Sequence, residues 1–235
     1  MSSLRHLDLS NNHFNDSIPN WLSRFSHLEY LSLSGNNLQG SFSNAIGNLT
    51  SIKTLDLSFN NLEGRIPTSF GRLCNLRSIS MSVTNLNSNI SEVFDIFSGC
   101  VSATLESLYL MSCQLSGHLT DQLGRFKNLE TLDLSNNSIS GPIPSSIGEL
   151  SSLGRLDLSG NSISGPIPSS IGKLSSLKTL DLSNNKLNGN VSQIQFSNLT
   201  RLVEFDAFDN KLIVEMVDSN WRVPPFQLMV LRFKF

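Results

Sequence analysis

A 24-residue period governs what this chain can fold into. Leu4, Leu28, Ile52 and Leu76 lie 24 residues apart, and so do Leu105, Leu129, Leu153 and Leu177. Each opens the pattern L-x-x-L-x-L-x-x-N-x-L-x-G-x-I-P. The segments Leu132–Leu153 and Leu156–Leu177 agree at 20 of 22 positions, differing only at Asn136/Gly160 and Glu149/Lys173. A unit this short cannot bury its own apolar face. Stacked on copies of itself it makes a continuous core, so the period means a solenoid. We count eight near-complete repeats, a degenerate ninth from Leu202 and the start of a tenth at Leu228. At about 4.8 Å per stacked strand, nine coils span on the order of 40 Å.

Each position of the unit has a physical task. The alternation of Leu132 and Leu134 with polar residues marks a half-buried strand. Stacked strands form one parallel sheet with the leucines inward. An asparagine column follows: Asn12, Asn36, Asn60, Asn137, Asn161, Asn185 and Asn210. A buried amide there can satisfy backbone groups where the chain turns out of the strand. Gly40, Gly64, Gly117, Gly141, Gly165 and Gly189 are read as the next turn. Ile18-Pro19, Ile66-Pro67, Ile143-Pro144 and Ile167-Pro168 then suit a short extended segment, since proline has no N–H to donate. Pairs such as Ile147/Leu150 and Ile171/Leu174, spaced i, i+3, fit one helical or 3₁₀ turn on the return side.

The pattern breaks twice. The fourth repeat runs 29 residues, Leu76 to Leu105, with Thr84 at the Asn position and Ser88 at the Gly position. Its extra residues, near 93–103, are read as a surface loop; a partner contact is the functional alternative. The segment Asp218–Phe235, containing Trp221, Pro224 and Pro225, loses the spacing before a strand-like run, Leu228–Phe233. The expected organisation is therefore repeats over 1–217 and an atypical loop with the start of a further repeat over 218–235. No charged and apolar leader precedes Leu4 and both ends present core leucines, so we expect a piece of a longer solenoid without its own signal peptide.

Composition excludes several functions. Only 15% of residues are charged, against about 25% in an average domain. Three residue types, with 41 Ser, 38 Leu and 25 Asn, supply the repeat consensus instead. No run of about 20 apolar residues exists to span a bilayer. A net charge of -2 without Lys/Arg clusters argues against nucleic acid. His6, His13, His27 and His118 are scattered, with no ligand spacing, so no metal site and no cofactor are expected. No nucleophile elbow, phosphate-binding loop or kinase signature occurs, and the chain is not expected to be an enzyme.

The repeat resembles the leucine-rich repeat, and the form S-G-P-I-P-S-S-I-G at Ser140–Gly148 and Ser164–Gly172 resembles its plant extracellular subclass. That implies an α/β repeat solenoid: a right-handed superhelix or horseshoe with a parallel concave β-sheet and short 3₁₀ or helical convex turns. Two segments narrow the resemblance, Phe94–Leu105 leading into Gly117–Gly124, and Trp221–Leu228. Both are similar to ectodomains of plant receptor-like proteins of the type that perceive fungal xylanase. The resemblance implies a plasma-membrane receptor in defence signalling, recognising a protein, peptide or glycan ligand and signalling through a partner receptor kinase. Two alternatives stay open: a soluble inhibitor of pathogen wall-degrading enzymes, like the polygalacturonase inhibitors, and a truncated non-functional product.

On the concave face, one exposed column reads Asp8, Ser32, Asp56, Ser80, Tyr109, Asp133, Asp157, Asp181, Asp206, and the next is largely serine. This monotony is read as scaffold. The exceptions, Tyr109 and Met111 on one strand and Phe59 and Val83 at the outer strand ends, form a candidate ligand-binding cluster. Arg77, Glu106, Asp133 and Arg155 flank it; Arg77 and Glu106 share a column and can pair with each other. Of three cysteines, Cys113 occupies an Asn position and is read as a buried structural thiol. Cys74 and Cys100 precede successive strands three residues out of phase, an offset that counts against an otherwise possible disulfide. N-x-S/T sequons at Asn15, Asn48, Asn89, Asn136, Asn190 and Asn198 are candidate glycosylation sites. Asn136, on the concave side, is expected to be modified less readily than the others.

Overall fold

The computed structural model describes residues 3–191, 195–196, 198–214 and 229–232. The L-x-L segment of each repeat, including its variant forms at Ile79, Phe205 and Leu231, becomes a three-residue strand. Ten of them stack in chain order: His6–Asp8, Tyr30–Ser32, Thr54–Asp56, Ser78–Ser80, Ser107–Tyr109, Thr131–Asp133, Arg155–Asp157, Thr179–Asp181, Glu204–Asp206 and Val230–Arg232. Every neighbouring pair is parallel and in register, so Leu108 faces Leu132 and Leu132 faces Leu156. Strict register follows from the alternation, because a one-residue slip would turn each leucine to solvent. Within the run Leu228–Phe233, the described strand is Val230–Arg232; Trp221, Pro224 and Pro225 lie outside the described residues.

The asparagine column makes the turn possible. Asn60 Nδ2 donates to the carbonyls of Leu33, Leu57 and Ser58 at 3.0, 3.1 and 3.0 Å, while its Oδ1 accepts from Leu38 N–H at 3.0 Å. One buried amide thus ties its own coil to the preceding one and leaves none of its polar atoms unused. Where the column changes type the bonds thin out. Thr84 Oγ1 donates to the Met81 carbonyl at 2.6 Å, and Cys113 Sγ reaches the same oxygen at 3.0 Å.

The glycine column corrects the sequence reading. Instead of plain turns, it runs through a second row of parallel strands: Gln39–Ser41 with Asn61–Glu63, and then Ser116–His118, Ser138–Gly141, Ser162–Gly165, Lys186–Val191 and Lys211–Val214. Gly117 shows why glycine is needed there. Its φ is +86°, and a Cβ would stand 2.3 Å from Asn89 Oδ1. Between the two parts of this second sheet the fourth repeat makes only single bridges, Glu63 with Asn85 and Asn89 with Ser116.

The return path consists of 3₁₀ turns such as Thr68–Arg72, Asp121–Arg125 and Ser145–Glu149. Pro67 and Pro144 precede two of them in extended backbone, φ -61° and -70°, as the ring dictates. Ile66 and Ile143 before them are buried. The fourth repeat departs from this, and here the expected surface loop is overturned. Its extra residues form helix α1, Ile90–Phe97, followed by the 3₁₀ turn Cys100–Ala103. Ile90, Val93, Phe94 and Phe97 share one helix face and are buried, with Phe94 5.8 Å from the Phe126 ring centroid. Asn89 caps the helix, its Oδ1 accepting from Ser91 N–H at 3.0 Å. A helix advances only about 1.5 Å per residue, so the insertion shortens as it folds. Cys100 is thereby carried to Cys74 at a Cα separation of 5.0 Å, and the two form a disulfide despite their offset in sequence.

Candidate ligand-binding surface

At each strand's exit the chain must reverse sharply so that the next residue, the ladder asparagine, points inward. The residue before the asparagine position takes up the reversal in left-handed backbone. Asn11, Gly35, Phe59, Val83, Ser112, Asn136, Gly160, Asn184 and Asp209 all have φ between 53° and 64°. Asparagine, aspartate and glycine tolerate that conformation; other L-residues pay roughly 1–2 kcal/mol, and a β-branched residue is an outlier. Phe59 and Val83 are therefore strained, in consecutive repeats. They are also exposed, at 55% and 37%. Strain of this kind persists only where the surroundings enforce it and concentrates at functional sites. The sequence reading noted these residues as apolar and missed the strain. The signal was present, since the Asn/Gly/Asp composition of their column marks a left-handed position.

Backbone hydrogen bonds place the cluster together. Phe59 N–H donates to the Ser82 carbonyl at 2.8 Å, and Val83 N–H donates to the Met111 carbonyl at 2.8 Å. Phe59, Val83 and Met111 thus occupy three consecutive coils at one edge of the concave sheet. Met111 is half-buried, its N–H donating to Ser82 Oγ at 3.2 Å. Tyr109, two residues earlier, is half-buried between Ser80 and Asp133 in register.

The charged candidates are bonded to neighbouring side chains and backbone. Asp133 Oδ1 accepts from Ser135 N–H at 3.0 Å and Ser135 Oγ–H at 2.7 Å, an arrangement repeated at Asp56, Asp157 and Asp181. Arg155 bonds Asp157 at 3.0 Å, and Arg232 bonds Asp206 at 3.3 Å. Asp181 lies between those two pairs. Burial, with the charges of Asp157 and Asp206 adding to it, holds its carboxyl above the usual range, although its bonds from Ser183 oppose the shift. Arg77 and Glu106 pair with each other across adjacent coils, and Arg5, Glu29 and Lys53 form a second such group. Cys113 is buried, which pushes its thiol up to about 11. The sequon residues Asn15, Asn48, Asn89, Asn136, Asn190 and Asn198 are all exposed, Asn89 with its carbonyl oxygen already engaged as the helix cap.

Among the described residues no group of three or more His, Cys, Asp or Glu is placed to hold a metal ion, and no helix is long and apolar enough to cross a membrane. What the surface offers is an apolar edge on a polar, internally bonded sheet. That arrangement suits binding.

Three leucine-rich repeat family models match the chain: one over residues 103–163, a two-copy model over 2–49, and a single-repeat model over 51–73 and 176–199. A comparison with curated protein sequences gave no match. Among solved structures, the chain is similar to the TDR receptor, with a TM-score of 0.83 and 29% identity over 90% of this chain and 36% of that one. It is similar to the ectodomain of the Arabidopsis thaliana membrane receptor kinase GASSHO1/SCHENGEN3, solved with CASPARIAN STRIP INTEGRITY FACTOR 2. The TM-score is 0.80 and the identity 34%, over 90% of this chain and 25% of that one. It is also similar to the plant peptide hormone receptor RGFR1, solved with RGF2, at TM-score 0.76 and 32% identity, over 90% and 37%. The chain thus spans between a quarter and somewhat over a third of these receptors. With ten stacked parallel strands, an asparagine ladder and 3₁₀ returns, the chain is a leucine-rich repeat protein.

Proposed function

We propose that this chain is a ligand-recognition segment of a plant cell-surface leucine-rich repeat receptor-like protein, and that its ligand is a peptide or a protein segment. The observation that carries the reading is the strained, exposed apolar edge of Phe59 and Val83 beside Met111. Three structural neighbours support it, GASSHO1/SCHENGEN3, RGFR1 and the HAESA ectodomain, each solved with the factor or peptide hormone its name records. Two segments, Phe94–Leu105 with Gly117–Gly124 and Trp221–Leu228, incline the reading toward the fungal-xylanase-receptor type and to defence. On that reading the parent protein sits at the outer face of the plasma membrane, carries glycans at sequons other than Asn136 and signals through a partner kinase.

A phage-displayed library of random peptides, panned against the purified chain, tests the surface directly. The expected result is enrichment of peptides whose binding falls at least tenfold when Phe59→Asn, Val83→Asn and Met111→Ser are combined. It should fall again in Tyr109→Ala with Met111→Ala. Enriched peptides that bind the combined variant unchanged, or a failure of any peptide to enrich, would remove the edge as the site.

A further inference from the structure

The row of left-handed residues does not end at Val83. One coil on stand Ser112 and then Asn136, and between them and the fourth repeat the surface sinks into a groove of about 470 Å³. The break in the second sheet opens it, because the fourth repeat's segment around Asn87 makes only single bridges to its neighbours. Six side chains form its polar lining: Asn87, Ser112, Gln114, Ser116, Asn136 and Ser138. The seventh, Asn137, is fully engaged in the ladder, donating to Leu110, Leu134 and Ser135 carbonyls and accepting from Cys113 and Leu115 N–H.

No charged residue lines the groove, and five of the six residues, all but the half-buried Ser112, are exposed, so their polar ends are open to a ligand. Three are amides and three are hydroxyls. Each amide offers a donor beside an acceptor, and each hydroxyl offers both. Four of the positions, Asn87, Ser112, Gln114 and Asn136, have φ of 44°, 55°, 57° and 55°. Gln114 is a residue type seldom found there, as Phe59 and Val83 are in the neighbouring row. A neutral lining of paired donors and acceptors complements a molecule with the same property on adjacent atoms. Vicinal ring hydroxyls have it, and desolvating neutral groups is less costly than desolvating charges. An extended peptide fits less well, because no charged side chain lines the groove to fix its ends.

We propose that this groove binds a neutral oligosaccharide, as a site separate from the apolar edge. The amides of Asn87, Gln114 and Asn136 read the ring hydroxyls.

The test uses the whole chain produced in an oxidising bacterial host, which forms the Cys74–Cys100 disulfide and adds no glycan at Asn136. Neutral cello-, xylo- and manno-oligosaccharides, acidic oligogalacturonides and the phage-derived peptides are titrated separately. Side-chain amide resonances of Asn and Gln are followed by NMR. The expected result is that a neutral oligosaccharide shifts the amide signals of Asn87, Gln114 and Asn136 with a Kd near about 1 mM. The variants Asn87→Gly, Gln114→Gly and Asn136→Gly remove the amides where glycine suits the backbone, and Gly160 already occupies the same row. Folding is therefore kept, and each variant should weaken binding by about five- to tenfold. Phe59→Asn should leave it unchanged. No neutral sugar bound at ten times that concentration overturns the proposal. So does selective binding of oligogalacturonide or peptide at these amides, or sugar affinity unaltered in the triple glycine variant.

Discussion

Replacing Val83 by asparagine should stabilise the protein while weakening its candidate binding edge. At φ 57° a β-branched side chain sits in the left-handed region, at a cost of roughly 1–2 kcal/mol. Asparagine occupies the equivalent place at Asn11, Asn136 and Asn184, with φ of 54°, 55° and 53°. The opposing effect is lost burial. A fully buried valine contributes about 1.5 kcal/mol, but Val83 is 37% exposed, and the methylene of asparagine keeps part of the contact. The loss is then about 0.5 kcal/mol, and the net gain about 1 kcal/mol. For a chain of this size that raises Tm by roughly 2–4 °C. Thermal unfolding followed by circular dichroism measures it, with Val83→Thr as the control, since threonine keeps the branch and the strain. An equal or lower Tm for Val83→Asn, or a matching gain for Val83→Thr, would refute the claim that the backbone there is strained. Phe59→Asn is closer to neutral, because a half-covered ring of about 150–250 Å² gives up more apolar contact.

Asn161 donates to the carbonyls of Leu134, Leu158 and Ser159 and accepts from Ile139 N–H. Asn161→Ala should lower stability by about 2–4 kcal/mol in a denaturant titration, as several buried groups lose their partner. Asn161→Asp, although the same size, should be at least as damaging because it turns an acceptor toward three carbonyls; a tolerated aspartate would contradict the ladder's role. Asp181 holds its proton to a higher pH when folded than when unfolded. The folded state therefore binds more protons between the two values, and this group's contribution to stability falls as pH rises through that window. Asp181→Asn keeps the bonds from Ser183 and removes the charge. At pH 7 it should be more stable than the parent, because no charge is then half-buried beside Asp157 and Asp206, by roughly 0.2–1 kcal/mol, read as a higher Tm. The difference should vanish below the carboxylate range, and a constant difference at all pH values would show that charge is not the cause. Cys113, buried with its thiol raised to about 11, should resist iodoacetamide in the native protein and react only on unfolding, as mass spectrometry would show.

Much of the fold was legible because the repeat writes the same local physics many times. The alternation at Leu132 and Leu134 sets which face is buried, and the Asn column names the side chain that closes each turn. What a single coil does not show is its neighbour. The second row of strands is hidden in the sequence because its segments, such as Ser116–His118 and Ser138–Gly141, lack the L-x-L alternation, and its glycines look like turns when taken alone. Helix α1 is hard to read because a single helical period sits inside a strand-rich repeat and resembles a loop. Its apolar spacing at Ile90, Val93, Phe94 and Phe97 was nevertheless present.

By itself, the sequence determined the solenoid, its register, its core and the residues of the apolar edge, because periodicity encodes burial directly. Only the tertiary structure decided three further things: that Phe59 and Val83 are strained, that Cys74 meets Cys100, and that a neutral groove opens beside Asn87. Each depends on how one coil is set against the next. That placement follows from how the longer fourth repeat folds its extra residues into a helix, and stacking fixes it globally, since no coil stands without its neighbours.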